Sequence, residues 1–238
     1  VMRNSPLWGS IMTEAGGPFA AHPQGTLLGV IIMLLFGALI GLWNGYAVTR
    51  FGIAPFMVTL VAMIFFSNFA LYLTQSRNVA NLPESFLSLG DGDIVSVYFG
   101  EKATPEIRRR EILPLITIPA VISLSLVFAA SFILRRTVFG RQLYATGTNR
   151  RAAEISGVPT KNVIMTAYMI SGFCAAVAAL LFSARLRIGQ PTLGDGTVLL
   201  DIIGACVIGG TSLFGGKGRI LGTFIGVLFF VLLQNILG

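Results

Sequence analysis

Apolar residues run through this chain in long unbroken blocks, and charged residues mark where the blocks end. Between His22 and Arg50 lie 27 uncharged residues, and between Arg50 and Arg77 another 26. Glu111 to Arg135 encloses 23, and Lys161 to Arg185 encloses a further 23. A helix rising ~1.5 Å per residue needs ~20 apolar residues to cross a hydrocarbon core ~30 Å thick. Four stretches pass that test. They predict spans at about Thr26–Thr49, Ala54–Leu73, Ile112–Leu134 and Val163–Ala184. Two shorter apolar runs, Thr197–Phe214 and Ile220–Leu237, predict a fifth and a sixth. Arg50-Phe51-Gly52 turns the first span into the second, and Gly215-Gly216-Lys217-Gly218-Arg219 joins the last two. The expected fold class is all-α, a polytopic transmembrane helical bundle forming a single transmembrane domain over residues 1–238.

Composition agrees with the pattern. Only 11% of the 238 residues are charged and 54% are apolar, against roughly 25% charged in soluble domains. Mean hydropathy is +0.80. The net charge of +7 would suit a nucleic-acid partner if the cations formed a stripe with interleaved aromatics. Instead they flank apolar runs, which is membrane-boundary placement. Lysine and arginine are divided nine against eight between the two sides, so a simple count does not orient the chain. The loop Arg135–Lys161 is the densest basic block, with only Glu154 opposing it. That places residues 135–162 in the cytoplasm, with 74–111 as an extracytoplasmic loop.

Helices in lipid associate through small residues that let backbones approach. The first span carries Gly37, Gly41 and Gly45, the last Gly222 and Gly226, and the fourth Ser171, Ala175 and Ala179. Each predicts a packing stripe. Amides within the spans must find partners or line a wet path. Asn44, Asn68, Gln234 and Asn235, with Thr59 and Ser67 nearby, form a candidate pathway for a neutral, hydroxyl-rich solute; interhelical hydrogen bonding is the plainer alternative. Asp201 is the one acid near a membrane interior, in the first turn of its span, where the helix dipole favours an anion.

Enzymatic chemistry has no visible home. His22 is the only histidine, and Cys174 and Cys206 both lie in apolar runs, so neither a metal cluster nor a His-based catalytic set is expected. Gly209–Arg219 invites a phosphate-loop reading, but Thr211 stands where the first glycine is needed and Gly218 replaces the hydroxyl. A tight glycine turn through Gly209, Gly210, Gly215, Gly216 and Gly218 is expected instead. The Glu101–Glu111 run, with Arg108–Arg110 inside it, reads as a solvated face or interfacial helix.

One polar segment stands apart. Asn149 is a good N-cap, and Gly157 with Pro159 is a typical helix stop. They enclose Arg150-Arg151-Ala152-Ala153-Glu154-Ile155-Ser156, barely two turns. So short a helix is marginal alone and needs a surface to pack on. Lipid is one such surface, and a groove on a cytoplasmic partner is the other.

From Phe139-Gly140-Arg141 through Gly157, the chain resembles the cytoplasmic loop of permease subunits from ATP-binding cassette sugar importers of the ribose/xylose/galactose type. The resemblance continues through Gln190-Pro191-Thr192-Leu193-Gly194, Leu200-Asp201-Ile202-Ile203-Gly204-Ala205, Gly209–Arg219, Gly222-Thr223 and Gln234-Asn235. It covers most of Ala38–Gly238 and is densest over the last hundred residues. Two family features are missing, an early Asp-Leu-Ser-Val-Gly segment and a helix beyond Gly238, so a truncated chain is expected.

The resemblance implies a multi-pass protein of the bacterial inner (plasma) membrane that is not an enzyme. It implies no cofactor on this chain, with ATP and Mg held by a separate cytoplasmic ATPase subunit. The other implied partners are a second permease subunit, a periplasmic or extracellular sugar-binding protein and membrane lipid, with no nucleic acid. By the same resemblance, Asn149, Arg150, Arg151, Ala152, Ala153, Glu154, Ile155, Ser156 and Gly157 would form the helix that couples the permease to the ATPase. Alternatives are the same architecture importing a nucleoside, inositol or a branched-chain amino acid, or a secondary carrier or channel.

Overall fold

The computed structural model describes residues 23–79, 82, 84–98, 112–194, 197–212 and 215–237. His22, the 101–111 run, Leu213, Phe214 and Gly238 lie outside the described residues. Among the described residues, four helices are long and apolar enough to cross a membrane. They are α1 (Pro23–Phe51), α2 (Pro55–Thr74), α4 (Ile118–Arg136) and α7 (Thr160–Leu186). Two shorter apolar helices, α8 (Thr197–Ile208) and α9 (Ile220–Leu237), follow. The helical membrane fold read from the charge-free runs is therefore present. Additional elements are α3 (Glu84–Asp91), β1 (Asp93–Tyr98), β2 (Ile112–Thr117), α5 (Val138–Thr148) and α6 (Arg150–Ile155).

Three boundaries differ from the sequence reading. The third span does not begin at Ile112. Residues Ile112–Thr117 pair antiparallel with Asp93–Tyr98, and helix starts at Ile118, whose N–H donates to the Gly92 carbonyl at 2.9 Å. The fifth span stops at Ile208 rather than Phe214, because Gly210 turns the chain with φ of +80°. Between the third and fourth spans, helix α5 fills Val138–Thr148, upstream of the short helix expected at Arg150–Ser156.

The chain forms two compact units. One gathers the described parts of Val1–Met33, Asn78–Ser125 and Val177–Gln190. Its core is Phe86, Leu180 and Ala184, flanked by Val30, Met33, Leu82, Leu89 and Leu181. A pair of backbone hydrogen bonds between Val79 and Gly189, at 2.8 and 2.9 Å, closes the same unit.

The other unit holds Leu34–Arg77, Leu126–Ala176 and Pro191–Gly238. Here the Gly37-Gly41-Gly45 stripe of α1 lies directly against α7. A Cβ on Gly37 would sit 2.5 Å from the Ala176 Cβ, and one on Gly45 would sit 2.9 Å from the Met165 Cα. On α7 the contact face is Met165, Tyr168, Gly172 and Ala176. The expected stripe of Ser171, Ala175 and Ala179 is one position off that face and exposed. In the α8–α9 hairpin, Gly226 is buried and faces Gly209, with a Cβ there 2.7 Å from the Gly209 nitrogen. By contrast, α2 and α4 bury no residue. Lipid is as apolar as leucine, so bare aliphatic faces are at home in hydrocarbon.

Candidate functional site

The polar site is built where α4 ends. Arg135 and Arg136 close that helix, and Thr137 starts the next. The Thr137 hydroxyl donates to the Ile133 carbonyl at 2.6 Å and accepts from the Gly140 N–H at 3.3 Å. It thereby fastens the end of one helix to the first turn of the other. Gly140 is buried against the Leu134 backbone with no room for a Cβ, which forces a close approach between the two.

Asn149 then serves two helices at once. Its N–H donates to the Ala145 carbonyl at 3.1 Å and ends α5. Its side-chain oxygen accepts from the Ala152 N–H at 3.1 Å and starts α6. Ser156 terminates α6, and Gly157 follows at φ of +80°, a conformation costly for other residues. The capped two-turn helix read from sequence is thus formed, ending one residue earlier, at Ile155.

Inside α6, Ala153 is the buried anchor, only 5% exposed, whereas Ile155 is 82% exposed. Glu154 reaches both ways: it accepts from Arg150 at 3.1 Å and from the Thr160 hydroxyl at 2.6 Å. The Thr160 hydrogen bond, then that of Arg150, holds the Glu154 carboxyl below its usual range. Because Thr160 is the first residue of α7, this carboxylate ties the short helix to a membrane-length one. Arg151, Ala152 and Ile155 are left on the exposed side.

A second contact runs from α5 to the glycine turn. The Tyr144 hydroxyl donates to the Gly218 carbonyl at 2.8 Å. Gly147 and Gly216 meet backbone to backbone, so that a Cβ on Gly147 would lie 2.6 Å from the Gly216 nitrogen. Gly215 and Gly216 have φ of +89° and +72°, and Gly210 +80°. The turn is pinned internally by the Ser212 N–H on the Lys217 carbonyl at 2.9 Å. Thr211 and Thr223 share a hydroxyl hydrogen bond at 2.9 Å across the hairpin. Helix α5 therefore touches the turn that joins α8 to α9. Sequence reading found the turn and the short helix but missed α5, Tyr144 and the Glu154–Thr160 tie. Thr137 immediately after Arg135-Arg136 is the cap signal that marks α5.

The four span amides have separate surroundings. Among the described residues the Asn44 side-chain oxygen is buried without a hydrogen-bond partner, though the residue as a whole is half-buried. Asn68 is exposed on α2 and donates to its own helix at the Ile64 carbonyl, 2.7 Å. Gln234 donates to the Asp201 carboxylate at 2.9 Å, joining α9 to α8. Asn235 is exposed next to it. The Gln234–Asp201 bond is interhelical, whereas Thr59, like Asn68, bonds its own helix.

Comparison with known proteins adds the context. The family described as "Branched-chain amino acid transport system / permease component" matches residues 7–238. The ribose import permease protein RbsC of Haemophilus influenzae is 34% identical over 211 residues, covering 87% of this chain and 59% of that protein. The xylose transport system permease protein XylH of Escherichia coli is 30% identical over 250 residues, covering 87% and 63%. The D-allose transport system permease protein AlsC of Escherichia coli is 31% identical over 202 residues, covering 85% and 56%. The chain spans about three fifths of the length of these relatives. No solved structure matches it.

Proposed function

The chain belongs to the branched-chain amino acid transport system / permease component family, and from that premise we propose that it is the membrane-spanning permease subunit of an ATP-binding cassette importer. Its cargo in this reading is a monosaccharide of the ribose, xylose or galactose kind, the class named in the relatives RbsC, XylH and AlsC. The family is one of inner-membrane transport permeases rather than enzymes, and the four membrane-length helices fit it. ATP and Mg belong to a separate cytoplasmic subunit. A second permease chain and an extracytoplasmic sugar-binding protein complete the assembly. Residues 135–162 face the cytoplasm, and residues 74–111 face the opposite side.

The observation that carries this reading is α6. It is too short to be stable alone, yet it is capped at both ends, anchored by Ala153 and tied to α7 through Glu154 and Thr160. Its outer side presents Ile155, an apolar residue 82% exposed. Such a peg suits a groove on the ATPase. Closure of the ATPase pair on ATP pushes the peg, and the contact of Gly147 with Gly216 passes the displacement to α8 and α9. The two membrane states must differ by only a few kcal/mol for nucleotide-dependent contacts to bias them. The solute path runs along Asn44, Asn68, Gln234 and Asn235, with the partnerless Asn44 oxygen as the first acceptor for a sugar hydroxyl.

Proline at Ala153 tests the coupling role. It costs a helix interior about 3 kcal/mol, enough to break two turns while leaving the spans intact. We expect normal membrane insertion, loss of ATPase co-purification and loss of uptake. Full uptake with a disrupted α6 would reject the role. A different solute on the same architecture is the second reading, favoured by the branched-chain amino acid wording of the family description. Competition of labelled ribose uptake by unlabelled leucine separates the two.

A further inference from the structure

We infer that the cavity beside the glycine turn binds a phosphate group, presented either by the headgroup of an anionic phospholipid or by free phosphate. The inference does not rest on the permease reading, only on the chain lying in a membrane.

The cavity measures about 820 Å³, within the ~300–1,000 Å³ typical of small-ligand sites. Arg135, Lys217 and Arg219 all line it, together with Tyr144 and the backbone of the turn glycines. Among the described residues no carboxylate pairs with any of these three cations. Three residues of like charge border this one concavity, and an anion of two charges or fewer reduces their mutual repulsion without leaving the site negative.

Two further features point to the same ligand. Ile220 and Gly222 line the cavity from the first turn of α9, an 18-residue helix with no acidic residue in that turn. Helix N-termini present unpaired N–H groups and positive potential to an anion. Depth is the other. Arg135 is in the last turn of α4, a membrane-length helix, and Ile220 is the first residue of the apolar α9. A cavity between two span ends lies where lipid phosphates lie, at the boundary of hydrocarbon and water. The glycine turn fails as a nucleotide loop, lacking the hydroxyl after Lys217 and the first glycine.

The test uses the intact permease assembly in nanodiscs of phosphatidylcholine doped with phosphatidylglycerol, with retained lipid counted by native mass spectrometry. A parallel arm titrates inorganic phosphate into pure phosphatidylcholine discs and follows phosphorus NMR line broadening. Wild type is expected to retain phosphatidylglycerol, and the triple variant Arg135→Gln, Lys217→Gln, Arg219→Gln to lose it by roughly a hundredfold, since each interfacial cation contributes a factor of about five. Arg50→Gln, a span-end cation away from this cavity, should leave retention unchanged. Should the triple variant not fold, Lys217→Gln alone is expected to cost about fivefold. Phosphate binding that depends on the same three side chains, without lipid retention, assigns the site to the soluble anion. Equal retention in wild type and variants, or binding of neither probe by wild type, overturns the inference.

Discussion

Replacing Gly147 by alanine sets two physical effects against each other. A helical glycine costs roughly 0.5–1 kcal/mol relative to alanine, so helix propensity alone forecasts a small gain in stability. The surroundings reverse the sign. A Cβ on Gly147 would lie 2.6 Å from the Gly216 nitrogen and 3.1 Å from its Cα, where ordinary contacts begin near 3.4 Å. The glycine turn must therefore retreat by about 0.8 Å, and overpacking of this kind costs ~1–3 kcal/mol. Retreat also stretches the Tyr144–Gly218 hydrogen bond at 2.8 Å, worth ~1 kcal/mol. The expected balance is a net loss of ~1–3 kcal/mol, read as a lower melting temperature of the purified assembly, together with impaired uptake at normal ATPase activity. Gly210→Ala is the control. Its φ of +80° matches that of the turn, but nothing lies within 4 Å of a Cβ there, so it carries only the left-handed cost of ~1–2 kcal/mol and should leave uptake intact. Combining Gly147→Ala with Tyr144→Phe should be less than additive, because both loosen one contact. If Gly147→Ala stabilises the assembly and transports normally, the proposed transmission through this contact is wrong.

The remaining predictions concern the packing stripe, the peg and the amides. Gly37→Ala should lower thermal stability by ~1–3 kcal/mol, because the new Cβ would sit 2.8 Å from the Gly172 carbonyl oxygen; an unchanged melting curve in detergent would show that α1 and α7 separate at no cost. Glu154 has its carboxyl pKa lowered by Thr160 and Arg150, so its stabilisation of α6 is complete above the ordinary glutamate pKa and is lost as pH falls through the lowered value. The protection of α6 against hydrogen exchange, relative to the intrinsic rate at each pH, should accordingly fall in acid for wild type and show no such step for Glu154→Gln. Gln234→Leu removes the donor to Asp201 at 2.9 Å, a bond worth ~0.6 kcal/mol in a membrane; with Gln234 on the solute path, uptake KM should rise as well, and a stability loss of that size with unchanged KM would take Gln234 out of the path.

Much of this arrangement was legible because charge is excluded from hydrocarbon: the four uncharged runs became four membrane-length helices. The ends of α6 were legible because Asn149 and Gly157 have few other uses in that spacing. What escaped had a physical cause in each case. Ile112–Thr117 continues without a break into the apolar α4, so its strand partner Asp93–Tyr98 is needed to tell strand from helix. In α5, Gly140, Gly147, Thr146 and Thr148 are poor helix formers, and tertiary contacts to Leu134 and Gly216 override them. On α7 two small-residue stripes lie one residue apart, about 100° around the helix. Only the placement of α1 selects Gly172 and Ala176 over Ser171, Ala175 and Ala179. Asn44 and Gln234 read alike in sequence, yet one oxygen is partnerless and the other amide is paired with Asp201.

Reconstitution of the intact permease into liposomes, with and without its cytoplasmic ATPase, weighs the central claim most directly. Cysteine at Ile155, the most exposed side of α6, supplies the second readout in the same preparation. The account predicts sugar uptake only with the ATPase and ATP present; it also predicts that Ile155→Cys, paired with a cysteine introduced in the ATPase groove and treated with an added thiol oxidant, forms a disulfide that halts uptake until it is reduced. Uptake by the permease alone, in liposomes free of ATPase and nucleotide, would contradict it.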